Sequence, residues 1–151
     1  MHDAVRRFQY QGQDSLALPA EREAFTTLKV WLSGIADELK LPARSRKQIL
    51  ISADEIFTNI ANYGYPEGGG KADVSVEFDL AAHELVVTFF DSGIAYNPLE
   101  ADPPKLDKPL AERQVGGLGL FMVKKMMDSV EYHRRDGRNV VILKKRLEAV
   151  Q

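Results

Sequence analysis

Residues 73–90 carry two strand signatures set four residues apart, and few folds accommodate both. In the first, Val74, Val76, Phe78 and Leu80 alternate with Asp73, Ser75, Glu77 and Asp79. A period of two puts the apolar set on one face and the polar set on the other, so the strand belongs to a sheet with one buried side. In the second, residues 85–90 are apolar on both faces, which suits a central strand. The link Ala81, Ala82 and His83 has hairpin length.

The flanking segments supply the cover for that sheet. After an extended start over 4–18, with a turn near 11–14, Pro19 suits a helix entry, and Leu28, Leu32, Ile35 and Leu39 recur at helical spacing. Leu41 and Pro42 break this helix and open a second one over about 43–63. Ile49, Leu50, Ala53, Ile56, Phe57 and Ile60 form its apolar stripe, and the glycine-rich run 64–70 ends it. Residues 97–115 hold four prolines and little periodicity, a long irregular loop of the kind that is usually functional. A third helix follows over about 118–128, then a hairpin of 130–133 and 139–145 turning at Asp136 and Gly137. The expected fold is α+β. It is a two-layer sandwich in which about three helices cover one face of a mixed, mainly antiparallel sheet. At 151 residues the chain suits one domain spanning 1–151.

Composition removes several functions. The net charge is −2 and lysines and arginines occur in short clusters such as Arg6–Arg7 and Lys124–Lys125, so no nucleic-acid stripe is expected. There is no cysteine, and His2, His83 and His133 are scattered, which excludes thiolate metal sites and gives no histidine pair at ligand spacing. No apolar run is long enough to span a bilayer, and the first residues lack the apolar core of a signal peptide. A cytoplasmic protein without a membrane partner is the expectation.

Three segments carry chemistry. On the second helix, Glu55, Asn59 and Asn62 fall on the side opposite Ala53, the middle of the apolar stripe. A solvated face would look similar, but two asparagines in the last turns are poor helix formers, and the row lacks solubilising lysines. Next, Asp91, Ser92 and Gly93 follow the apolar strand directly. They are ordinary turn chemistry, yet a carboxylate there can accept a hydrogen bond from a purine amine while glycine admits the ring. Finally, Gly116, Gly117 and Gly119 open the third helix, where backbone N–H groups favour anions. They serve equally as a hinge for the preceding loop. Arg113, just before them, is within reach of a phosphate or simply a surface arginine.

Together these segments resemble the ATPase superfamily of DNA gyrase, the heat-shock chaperone ATPase, histidine kinases and MutL. The similarity is greatest to its anti-sigma factor serine/threonine kinases. It rests on Glu55-x-x-x-Asn59-x-x-x-Tyr63, on Asp91-Ser-Gly-Ile-Ala-Tyr-Asn-Pro98, and on Gly116-Gly-Leu-Gly-Leu-Phe-Met-Val123. Two positions depart from the commoner pattern: Tyr63 stands where many relatives have histidine, and Ala95 where many have a second glycine. The resemblance implies the histidine-kinase-like ATPase fold, with ATP and Mg²⁺ as ligands. Glu55 would be the general base, Asn59 the direct magnesium ligand, and Asp91 the adenine acceptor beside Gly93. Gly116, Gly117 and Gly119 would hold phosphates, Arg113 would neutralise the terminal phosphoryl, and 97–115 would be the ATP lid. The implied nucleotide set also includes Asn62, Tyr96, Leu118 and Leu120. The implied partners are an anti-sigma-factor antagonist carrying the acceptor serine or threonine, a sigma factor, and a second copy in a homodimer. The alternative is an ATP-gated interaction module that transfers no phosphoryl group.

Overall fold

The computed structural model describes residues 14–79, 81–100 and 117–147. The N-terminal part of the extended start, Leu80, and most of the irregular loop with Arg113 and Gly116 lie outside the described residues. The order is β1 (Asp14–Pro19), a 3-10 turn (Arg22–Ala24), α1 (Phe25–Glu38), α2 (Ala43–Asn59), a π turn (Ile60–Gly64), β2 (Lys71–Asp79) and β3 (Glu84–Asp91). A 3-10 turn (Pro98–Glu100), α3 (Gly117–Met126), β4 (Ser129–Arg135) and β5 (Arg138–Arg146) complete it. The strands form one sheet in the order β1-β2-β3-β5-β4. Among the described residues every pairing is antiparallel, in keeping with the mainly antiparallel sheet expected.

Strand alternation decides which side of the sheet is covered. Val74 and Val76 on β2, Val87 and Phe89 on β3, and Val141 and Leu143 on β5 are buried together. The register pairs Val74 with Phe89 and Phe89 with Val141, so these side chains form continuous rows under the helices. The helices add Leu28, Leu32 and Ile35 from α1, Ile49, Ala53, Ile56 and Phe57 from α2, and Leu120 and Val123 from α3. Ala53 is completely buried, as its place at the middle of the stripe required. Phe57 and Phe89 are the largest fully buried side chains, and truncating either to alanine would destabilise by about 3–5 kcal/mol. On the other face of β3, the central strand, Val86, Thr88 and Phe90 are half-buried.

Several boundaries differ from the sequence pattern for local reasons. Pro19 ends β1 rather than opening a helix, because its backbone is still in register with Lys71 of β2. The end of α1 is set one residue before Leu41. Lys40 takes a left-handed φ of 53°, with Leu41 N–H bonded to Ala36 O (3.0 Å) and Lys40 N–H to Asp37 O (3.1 Å). This closes the orphan carbonyls of the last turn in the Schellman pattern. The β4–β5 turn is the expected one: Asp136 and Gly137 both have positive φ (52° and 75°), as a two-residue type I′ turn requires. No described helix is long and apolar enough to cross a membrane.

Candidate functional site

The site lies where the end of α2 meets the ends of β3 and β5. On α2, Glu55 and Asn59 are one turn apart on the same face, and Asn59 Nδ2 donates to Glu55 Oε1 at 3.5 Å. The start of α3 closes against this pair. A Cβ placed on Gly119 would stand 2.1 Å from the Glu55 carboxylate carbon, so a larger residue here would displace the Glu55 carboxyl. The contact takes water from the Glu55 carboxyl and raises its pKa above the usual glutamate value. The hydrogen bond from Asn59 opposes that shift, and the neighbouring Asp54 charge adds to it.

After Asn59 the helix widens into the π turn, a distortion frequent at functional sites. It aims the Gly64 carbonyl at the segment after β3, where Ile94 N–H donates to Gly64 O at 2.9 Å. Gly93 packs against the same carbonyl, and a Cβ there would lie 2.2 Å from Gly64 O. Two backbones touch at this point with no side chain between them. Tyr65, just past the turn, adds a clasp. Its hydroxyl donates to Lys71 O (2.6 Å) and accepts from Ser92 N–H (2.7 Å).

Asp91 is the last residue of β3 and only 5% exposed. Its Oδ1 accepts hydrogen bonds from Gly93 N–H (3.0 Å) and from Asn139 Nδ2 (2.9 Å). Asn139 sits directly across the register from it on β5. Arg134 on β4 reaches the same turn and donates to Gly93 O at 3.0 Å.

Between α2 and the sheet these groups border a cavity of about 30 Å³, lined by Asn59, Ile60, Gly64, Asp91, Ile94, Tyr96 and Asn139 among others. That volume suits one or two water molecules. Tyr96 and Tyr63 stand beside each other near its rim, ring centroids 6.4 Å apart and tilted by 39°. Burial, then Tyr63 and Glu55, raise the Tyr96 pKa, which keeps its phenol neutral.

The fold thus brings Asn59, Asp91 and Tyr96 to one cavity, with Gly93 behind Asp91 and Glu55 and Gly119 beside Asn59. Three expectations fare differently. Asn62 is exposed on the π turn and is not among the residues lining the cavity. The Leu120 side chain is 4% exposed and belongs to the core, so only its backbone is available to a ligand. Gly117 and Leu118 are the first residues of α3, while Arg113 and Gly116 lie outside the described residues. Asn139, Tyr132, Tyr65 and Arg134 escaped the sequence reading. Asn139 follows an Asp-Gly turn, where asparagine is unremarkable, and only the β3–β5 pairing sets it against Asp91.

The residues present fit a magnesium ion held mainly by a nucleotide. Among the described residues no three acidic or histidine side chains gather, so the protein alone offers no cage. Asn59 turns its amide nitrogen toward Glu55, which leaves its carbonyl oxygen as a neutral ligand. Magnesium commonly takes one or two protein oxygens and fills its shell with phosphates and water.

Comparison with known proteins identifies the family. Residues 18–145 match the histidine kinase-like ATPase domain family. The serine/threonine-protein kinase BtrW of Bordetella bronchiseptica is 32% identical over 130 residues, covering 86% of this chain and 91% of that protein. The serine-protein kinase RsbW of Bacillus mycoides is 23% identical, covering 85% of this chain and 82% of that protein. Among solved structures, the RsbU and RsbW domains of a Mycobacterium tuberculosis protein align with a TM-score of 0.60 at 13% identity, covering 89% of this chain and 32% of that one. A blue-light-activated histidine kinase domain of Erythrobacter litoralis aligns with a TM-score of 0.52 at 16% identity, covering 80% of this chain and 61% of that one. The chain belongs to the histidine kinase-like ATPase domain family, in its anti-sigma-factor branch of ATP-dependent serine/threonine-protein kinases.

Proposed function

We propose that this chain transfers the γ-phosphoryl group of ATP to a serine or threonine of an anti-sigma-factor antagonist, and that it sequesters a sigma factor. The observation that carries the proposal is that Asn59 and Asp91 line one cavity, with Glu55 hydrogen-bonded to Asn59 and in contact with Gly119 of α3. In this reading Asp91 accepts the adenine amine, with Gly93 and Tyr96 along the base. Backbone N–H groups of Gly116, Gly117, Leu118 and Gly119 receive the phosphates, and Arg113 neutralises the terminal one. The acceptor hydroxyl oxygen forms a bond to the γ-phosphorus as the bridging bond to the β-phosphate breaks, and ADP leaves. The hydroxyl proton passes to the Glu55 carboxylate. Asn59 is the residue that would hold Mg²⁺, whose charge offsets that of the phosphates.

The same reading treats 1–151 as one ATPase domain with its lid over 97–115, acting in the cytoplasm and pairing with a second copy. The test is transfer of labelled γ-phosphate from ATP to candidate antagonists, with Glu55→Gln as control. Labelled serine or threonine that disappears in the variant supports the proposal. Tight ATP binding without transfer to any candidate antagonist overturns it. If ATP still switches partner binding in Glu55→Gln, the chain acts as a nucleotide-gated interaction module.

A further inference from the structure

Asn139 is 4% exposed and its amide is surrounded by four partners. Nδ2 donates to Asp91 Oδ1 at 2.9 Å and to Ile94 O at 2.8 Å. Oδ1 accepts from the Tyr132 hydroxyl at 2.5 Å and faces Tyr96 N–H at 3.5 Å. The amide has one sensible orientation, because Ile94 O only accepts and Tyr96 N–H only donates. Three separate pieces of the fold therefore fix it: β4 through Tyr132, β5 through its own backbone, and the 94–96 segment. The consequence falls on Asp91. Its Oδ1 already receives Gly93 N–H as well as Asn139, so both lone pairs of that oxygen are used. Among the described residues no hydrogen bond falls on Oδ2, which leaves it as the acceptor for an incoming donor.

We infer that Asn139, braced by Tyr132, is a specificity-determining positioning residue. It pins one Asp91 oxygen and so presents the other as a fixed acceptor that selects a 6-aminopurine over a 6-oxopurine. This rests on the proposed reading of the cleft as the ATP site. An acceptor that cannot rotate meets the amine of adenine, whereas the carbonyl of hypoxanthine sets two acceptors against each other. Without Asn139 the carboxylate turns, shares water, and loses part of that discrimination.

The experiment measures affinities for ATP and inosine triphosphate, each with magnesium, by equilibrium binding to the full chain. Wild type should prefer ATP, and Asp91→Asn should abolish the preference. Asn139→Ala should lower the ATP-to-inosine-triphosphate ratio roughly tenfold or more. Asn139→Asp supplies a second readout. Its carboxylate faces Asp91 Oδ1 and repels it when both are ionised, and a shared proton at lower pH restores a donor between them. ATP binding by Asn139→Asp should therefore recover on moving from mildly alkaline to mildly acidic buffer, where wild type is flat. If Asn139→Ala fails to fold, Tyr132→Phe removes a single hydroxyl and should lower the ratio by a smaller factor. Equal losses for both nucleotides, with no acid recovery in Asn139→Asp, would reduce Asn139 to a structural residue and overturn the inference alone. A wild type with no preference for ATP, or none lost in Asp91→Asn, would overturn the reading of the site.

Discussion

At the sheet end of the cleft, Asp91 and Asn139 are 5% and 4% exposed, and their hydrogen bonds of 2.8–3.0 Å tie β3, β5 and the 93–96 turn together. At the helix end, Glu55 is half-buried and holds one long bond of 3.5 Å from Asn59. In the proposed mechanism the two ends do different work. Recognition of a base needs an acceptor that stays put, so the sheet end is over-determined by short bonds. A group that takes and returns a proton needs both protonation states within reach, so the helix end is desolvated enough to raise its pKa and lightly restrained. The two glycines repeat the contrast. A side chain at Gly93 would strike the Gly64 backbone, which cannot move, whereas one at Gly119 would strike the end of the flexible Glu55 side chain.

The largest expected effect comes from the loosely held end. Glu55→Gln should lower phosphoryl transfer by about 10²- to 10⁴-fold with ATP affinity retained, as single-turnover transfer and equilibrium binding would show. The same variant should melt no lower than wild type near neutral pH. The sign follows from linkage. A carboxyl whose pKa is raised by folding favours the fold while protonated, and that advantage is lost as pH rises through the folded pKa. A marked drop in melting temperature would contradict the account of Glu55 as a strained base. Gly93→Ala should destabilise the protein by about 1–3 kcal/mol in denaturant titration, because backbone must yield to the new Cβ. Gly119→Ala should do the opposite. Its change in stability should stay within about 1 kcal/mol, since alanine favours the helix as the carboxylate swings aside. Transfer should still fall roughly 10- to 100-fold from the displaced base. If Gly93→Ala proves harmless and Gly119→Ala unfolds the chain, the contrast between the two ends is wrong.

The smallest effect concerns pH. In the proposed mechanism transfer requires ionised Glu55, so its rate should fall as pH drops through a value above that of an ordinary glutamate. Asp54→Asn removes the like charge that contributes to the shift and should move this acid limb to lower pH. An unmoved limb would leave burial as its whole cause.

Much of the fold was legible because strand and helix periods are local. The alternation of 73–79 and the stripe around Ala53 name their buried faces without knowledge of any partner. The I′ turn at Asp136 and Gly137 was readable because positive φ restricts residue type. The helix ends were less legible. Lys40 in the left-handed region carries no compositional signal, and the π turn after Asn59 has none either. That the Leu120 side chain fills the core follows from the packing of α3 and not from the glycine motif around it.

The sequence alone determined which residue types exist to do chemistry and which faces must be buried, since both are set by covalent identity and short-range periodicity. Tertiary structure decided the rest. Pairing of β3 with β5 puts an asparagine from position 139 on the carboxylate of position 91, and packing of α3 on α2 presses Gly119 against Glu55 and takes water from its carboxyl. Hydrogen-bond partners and desolvation depend on distances across the fold, and residues far apart in the chain acquire those distances only when the sheet and helices close on one another.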